Sequence, residues 1–202
     1  MANLSKSQQN LVKFVQLAVL IALIVVFSFT GLGYIKIGIV EITLNCIPVA
    51  IGAIVLGPVA GAICGATFGL TSFIQCFGMS AFGAMLLNIS PVRTFITAFC
   101  TRVLVGLLTG LVFKAFKEKK TVGCAVASIC CPVFNTLLFI GTFILLFKNS
   151  AFESVYNQLG ATNIINFFVA FCGLNGLLEI ITCFIISTPA SRAIIQANKK
   201  LK

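Results

Sequence analysis

Apolar residues fill this chain in long runs that polar residues interrupt at only a few places, and the interruptions predict six helices. From Ile42 to Val92 there is no Asp, Glu, Lys, Arg or His. That stretch is too long for one membrane crossing, for which about 20 apolar residues suffice. Gly57-Pro58 stands near its middle. Proline lacks the N–H and clashes with the preceding turn, so the stretch divides into two spans joined by a tight turn. The spans run from about Asn10 to Thr30, Leu44 to Leu56, Pro58 to Phe77, Val92 to Phe116, Val122 to Phe147 and Asn163 to Ser187. The runs lack dyad alternation, so helices rather than a closed barrel satisfy the backbone in lipid.

The connections differ in kind. Gly57-Pro58 is minimal, whereas Gly31 to Thr43, Gly78 to Pro91 and Asn149 to Thr162 are long. The first of these carries a β-branched text, Tyr34-Ile35-Lys36-Ile37-Gly38-Ile39-Val40-Glu41-Ile42, and reads as extended backbone. Long loops tend to be functional. Three of them at one end suggest a site that opens there.

Charge orients the bundle. Lys6, Lys13, Lys114, Lys117, Lys119, Lys120, Arg192, Lys199, Lys200 and Lys202 fall on one side, and Lys36, Arg93 and Lys148 on the other. Basic residues gather on the cytoplasmic side, so both termini are expected there. The expected fold is all-α: a polytopic six-transmembrane-helix bundle forming one domain over 1–202. A short cytoplasmic segment, 1–9, precedes it, and a basic cytoplasmic tail, 190–202, closes it, its text from Arg192 reading as an interfacial helical end. The first apolar run is too long for a cleavable signal peptide, and no small-residue cleavage site follows it.

Composition agrees. The 202 residues are 59% hydrophobic and only 9% charged, against about 25% charged in soluble domains, and the mean hydropathy is +1.13. The net charge of +10 lies in short inter-span segments, which argues against a nucleic-acid partner and for membrane lipid. Nine cysteines lack any Cys-x-x-Cys spacing, and no histidine accompanies them. They read as small buried hydrophobes rather than as a metal site or disulfides. With no aspartate, no phosphate-binding glycine loop and no ligand cluster, the chain offers no catalytic residue, metal or cofactor site, and it is not expected to be an enzyme.

Some residues could still carry chemistry. Glycines at 57, 61, 65 and 69, with Gly106 and Gly110 on the fourth span, form a face where helices approach closely. Ala18 and Ala22 on the first span read either as ordinary membrane-helix alanines or as a groove for a partner helix. Arg102 and Glu179 lie about 15 and 24 Å deep, at 1.5 Å per residue. Each is costly alone, so a structural clasp between them is favoured over a proton relay. Asn45, Ser72, Gln75, Asn88, Thr94 and Thr97 fall in the outward half, with Asn135 and Asn175 nearer the midplane. These amides and hydroxyls read either as ligands of a polar solute or as hydrogen bonds between helices. Arg93 at the outer surface reads as a carboxylate or phosphate contact or as an interfacial anchor.

Several stretches resemble one family. They are Ile47-Pro48-Val49-x-Ile51-Gly52-Ala53-x-x-Leu56-Gly57-Pro58-x-x-Gly61-Ala62-x-x-Gly65, Phe68-Gly69-Leu70-Thr71-Ser72 and Arg102-Val103-Leu104-Val105-Gly106. Phe134-Asn135-Thr136-Leu137-Leu138, Asn175-Gly176-x-x-Glu179 and Thr188-Pro189-Ala190 complete the set. Together they resemble the substrate-binding S components of energy-coupling-factor vitamin transporters, over nearly the whole chain. The resemblance implies a six-helix protein of the prokaryotic plasma membrane that binds a water-soluble vitamin or precursor at its outer side. It implies a transmembrane T component and two cytoplasmic ATPase subunits as partners, with Ala18 and Ala22 matching the alanine motif that docks the T component. It makes Gly31 to Thr43 a lid. The Leu44-to-Ser72 text most resembles the pantothenate type, ahead of a pyrimidine thiamine precursor. Pantothenate would be met by Arg93 or Lys36 at its carboxylate and by Asn45, Gln75, Asn135 and Asn175 at its polar groups, with Ser72 and Asn88 among the lining. The alternative is an autonomous proton-coupled carrier or channel using Arg102 and Glu179. A structural membrane subunit that binds no small molecule is a third reading.

Overall fold

The computed structural model describes residues 5–30, 34–37, 40–116, 119–148 and 164–200, and the side chains of 34–37, 40–42 and 164–175 lie outside that description. Among the described residues the elements are helices apart from one two-stranded hairpin. Helix α1 spans Lys6–Phe29. It starts earlier than the apolar run because Ser5 and Gln8 form a capping box: the Ser5 hydroxyl accepts from the Gln8 N–H at 3.3 Å and the Gln8 side chain from the Ser5 N–H at 2.8 Å. Two of the donors that every helix start leaves unpaired are thereby satisfied. Only Leu20, Ile24 and Ser28 of α1 are buried, so this helix touches the bundle along a narrow stripe.

The extended text that follows forms β1, Tyr34–Ile37, and β2, Val40–Thr43. They pair antiparallel, with Tyr34 opposite Thr43 and Lys36 opposite Glu41. Helix α2, Cys46–Val55, is short for a span, at about 15 Å. Every residue from Cys46 to Ile54 is buried, as expected of a helix that is apolar all round. It is the centre of the fold, wrapped by the other helices. Gly57 then adopts φ 100°, which a side chain would strain, and Pro58 opens α3, Pro58–Gln75.

The segment from Gly78 to Pro91, expected as a loop, contains a helix, α4, Ala81–Ile89. Its start is capped by the Ser80 hydroxyl accepting from the Gly83 N–H at 3.2 Å, the local signal that the apolar text concealed. The fourth predicted span is α5, Pro91–Phe95, a π-helical turn over Ile96–Cys100, and α6, Thr101–Ala115, in one run. Helix α7, Lys120–Phe147, carries Pro132, and helix α8, Ile164–Lys200, carries Pro189. The last helix has no break near Ser187: the basic tail is helical, as its text suggests, and continues the same helix to Lys200. Its end is tied to α1 by reciprocal amide bonds between Gln16 and Asn198, at 2.9 and 3.4 Å.

Among the described residues, five helical runs are long and apolar enough to cross a membrane: Lys6–Phe29, Pro58–Gln75, Pro91–Ala115, Lys120–Phe147 and Gly176–Lys200, with Cys46–Val55 as a shorter apolar helix. The glycine face is a packing seam. A Cβ on Gly106 would come 2.5 Å from the Gly61 carbonyl carbon, and one on Gly65 would come 2.9 Å from that of Arg102. Backbones of α3 and α6 thus meet without intervening side chains. Cys46, Cys64, Cys131 and Cys183 are free, buried and part of the core with Ile24, Val49, Phe68 and Val105.

Candidate functional site

At the end of the bundle that bears the hairpin, polar groups from three segments, the foot of the hairpin, the start of α2 and α3, gather at the last turn of α1. Helix termini leave their final carbonyls without in-helix donors. The Ser28 carbonyl is one of these, and the Gln75 side-chain amide of α3 donates to it. The Ser28 hydroxyl accepts from Asn45 Nδ2 at 3.1 Å and lies 2.8 Å from the Thr71 hydroxyl. Because Thr71 donates to the Phe68 carbonyl at 2.9 Å, the proton order is fixed: Asn45 to Ser28, Ser28 to Thr71, Thr71 to backbone. Thr43, at the foot of the hairpin, accepts from the Asn45 N–H at 3.2 Å. Ser28, Thr43, Asn45, Thr71 and Gln75 are all buried, where an unmet polar group is expensive.

A second set of groups adjoins it through Thr43. Its backbone N–H donates to Glu179 Oε1 of α8 at 2.8 Å, and the Asn135 side chain of α7 lies near the same carboxyl group. The group is buried and takes its hydrogen bond from the backbone. Arg102 of α6 lies close enough to act on it electrostatically. The guanidinium has its own cradle. It stands 4.8 Å from the Phe68 ring centroid and 5.3 Å from that of Phe139, with the geometry of cation–π contacts. Its Nη1 donates to the carbonyls of Thr97 at 3.3 Å and Ala98 at 3.0 Å. Those carbonyls belong to the π turn, where the helical hydrogen-bond register slips and acceptors become available. The deep Arg and Glu thus share one region through space, each with its own hydrogen-bond partners.

The structure places the sequence-selected residues unevenly. Asn45, Gln75 and Asn135 are buried in the region just described. Ser72 is half-buried on α3, next to Thr71, which does the bonding. Asn88 is exposed on α4. Arg93 is exposed and donates to the Leu146 carbonyl at 3.1 Å, tying α5 to the end of α7. Asn175 lies on α8, its side chain outside the described residues, as are the Lys36 side chain and the 149–162 connection. Thr94 and Thr97 return their hydroxyls to the carbonyls of Ser90 and Arg93 on their own helix. Ala18 and Ala22 are exposed on α1, among exposed Val15, Val19 and Val26.

Sequence reasoning missed Ser28, Thr43 and Thr71. The available signal was a serine at the end of an apolar run, facing the same way as Leu20 and Ile24 at intervals of four. Chemically, the region offers amide and hydroxyl donors and acceptors, one carboxylate, and one guanidinium between aromatic faces. That set suits a small solute with a carboxylate, hydroxyl and amide groups. Among the described residues no group of His, Cys, Asp or Glu has the arrangement to hold a metal ion.

The family model for the substrate-specific component of ECF transporters matches residues 12–191. The chain is 31% identical over 169 residues to the pantothenic acid transporter PanT of Lactococcus lactis subsp. cremoris, covering 79% of this chain and 80% of that protein. It is 30% identical over 168 residues to the pantothenate transporter PanT of Leuconostoc mesenteroides subsp. mesenteroides, covering 77% and 78%.

Proposed function

The chain belongs to the family of substrate-specific components of energy-coupling-factor transporters, and from that premise we propose that it is the subunit that binds pantothenate for uptake. It is a multi-pass membrane protein and not an enzyme. In this reading the whole chain, 1–202, is one membrane-embedded domain of the prokaryotic plasma membrane. The short α2 pairs with α3 as a buried hairpin to make six crossings, and both termini are cytoplasmic. A transmembrane T component docks on the exposed face of α1 at Ala18 and Ala22. Two cytoplasmic ATPase subunits drive the cycle, which accords with the lack of a phosphate-binding loop in this chain.

The observation that carries the substrate assignment is the pair of pantothenate-transporter relatives, each aligned over more than three quarters of its length. The chemistry of the polar region supports it. Arg102, held between Phe68 and Phe139, is the cation for the pantothenate carboxylate. Asn45, Gln75, Asn135, Asn175 and Glu179 serve the hydroxyl and amide groups. Ser72, Asn88, Arg93 and Lys36 meet the solute nearer the entrance, beneath the hairpin as lid. Arg supplies a planar, permanently charged fork that suits a carboxylate.

The test is titration of the purified, detergent-solubilised chain with a panel of water-soluble vitamins by calorimetry. Tight binding of pantothenate, with no comparable heat from thiamine, riboflavin or folate, is the expected result. A folded protein that binds another vitamin in its place refutes the pantothenate assignment. One that binds none refutes the binding function.

A further inference from the structure

Helices α7 and α8 run antiparallel and share a polar seam that continues away from the candidate site toward the chain termini. Cys131 and Cys183 both direct their thiols at the Cys46 carbonyl, at 3.6 and 3.8 Å, so these two residues are level. Asn135 and Glu179, which lie near one another, stand one turn to one side of them. Moving the other way by three residues on α7 and four on α8 stays on the facing sides. That step brings Ser128 level with Ser187, and Ser191 follows one turn beyond. Ser187 is satisfied, donating to the Ile47 carbonyl at 3.4 Å and lying 3.4 Å from the Cys183 thiol.

Ser128 and Ser191 are different. Both are 0% exposed, yet their hydroxyls, with that of neighbouring Thr188, have no hydrogen-bond partner among the described residues. A hydroxyl inside a helix ordinarily turns back onto the carbonyl four residues earlier. Thr94, Thr101, Thr109, Thr142 and Thr182 all do so here. Ser128 is doubly provided, because Pro132, four residues on, has no N–H to give its carbonyl. Buried polar groups are rarely left unmet, and a water with two to four protein partners is the usual solution.

We propose that the α7–α8 seam holds a site for ordered water, bound by the hydroxyls of Ser128, Thr188 and Ser191 and by the Ser128 carbonyl. Water gives this part of the seam exchangeable hydrogen bonds where α3 and α6 have fixed backbone contact.

The test is water-to-protein magnetisation transfer by solid-state NMR on the full chain in lipid nanodiscs, read at Ser128 and Ser191. Transfer at both sites in the native protein is expected, and its absence at these two positions overturns the site. The Ser128→Ala, Ser191→Ala double variant supplies an independent sign. If water is bound, deleting its partners lowers Tm. If the hydroxyls are dry, deleting two desolvated groups raises Tm, and that result also overturns the site.

Discussion

Replacing Gly106 with alanine places a methyl group in the seam between α3 and α6. The new Cβ comes 2.5 Å from the Gly61 carbonyl carbon and 3.1 Å from the Ala62 nitrogen, whereas non-bonded carbons rest at about 3.5–4.0 Å. The obstructing atoms are backbone, so no rotamer change relieves the overlap and the helices must separate by roughly 1 Å. Overpacking of this kind costs about 1–3 kcal/mol, and rigid backbone on both sides sets it at the upper end. The better helix propensity of alanine returns up to about 1 kcal/mol. The net loss of about 2 kcal/mol corresponds to a Tm lowered by roughly 4–8 °C in a chain of this size. Gly141→Ala is the control, since a Cβ there meets nothing within 4 Å. Its Tm should stay level or rise. Thermal unfolding in detergent, followed by a thiol-reactive dye that reports exposure of the buried cysteines or by loss of the monodisperse peak, reads both variants. A Gly106→Ala protein that melts with or above Gly141→Ala refutes the close α3–α6 contact.

Ala18→Trp should abolish pantothenate uptake in cells carrying the whole transporter while leaving vitamin binding by the isolated chain unchanged, because Ala18 is exposed on α1 and outside the polar region; loss of binding would count against a docking role. Glu179→Ala strips the buried Thr43 N–H of its acceptor and should destabilise by about 1–3 kcal/mol. Combining it with Arg102→Ala should cost less than the sum of the single changes, and strict additivity in that cycle would exclude electrostatic coupling between the two residues. Asn45→Leu removes the donor to Ser28 and should weaken pantothenate binding at least tenfold by calorimetry, together with a lowered Tm; unchanged affinity would remove Asn45 from the site.

Much of the helical frame was legible because lipid permits little else. Runs of apolar residues, the Gly57-Pro58 break and the β-branched text before Thr43 each have a local cause, and helices α1 to α3 and the hairpin follow them. Local signals also misled where they were mixed. The 78–91 segment is apolar and glycine-punctuated, yet Ser80 caps a helix within it. The sixth span is expected to end near Ser187, yet α8 runs unbroken through Pro189 to Lys200, because a membrane-type helix with tertiary partners tolerates the missing bond. The candidate site was legible by half. Asn45, Gln75 and Asn135 stand out as amides in apolar text. Nothing local distinguishes Thr71, which bonds across to α1, from Ser72, which does not.

The sequence by itself determined the helices, their membrane character and the family, since these rest on hydropathy, chain breakers and ordered motifs that act within one turn or one span. Tertiary structure alone decided which polar residues meet. Ser28 finds Asn45, Thr71 and Gln75, and Glu179 finds Thr43 and Asn135, only after five helices and a hairpin have settled their rotations about their axes. The rotation of α3, which carries Thr71 and Gln75, is set against α6 by close backbone approach at Gly61, Gly65 and Gly106. Such contacts join residues far apart in the chain, and no local pattern records them.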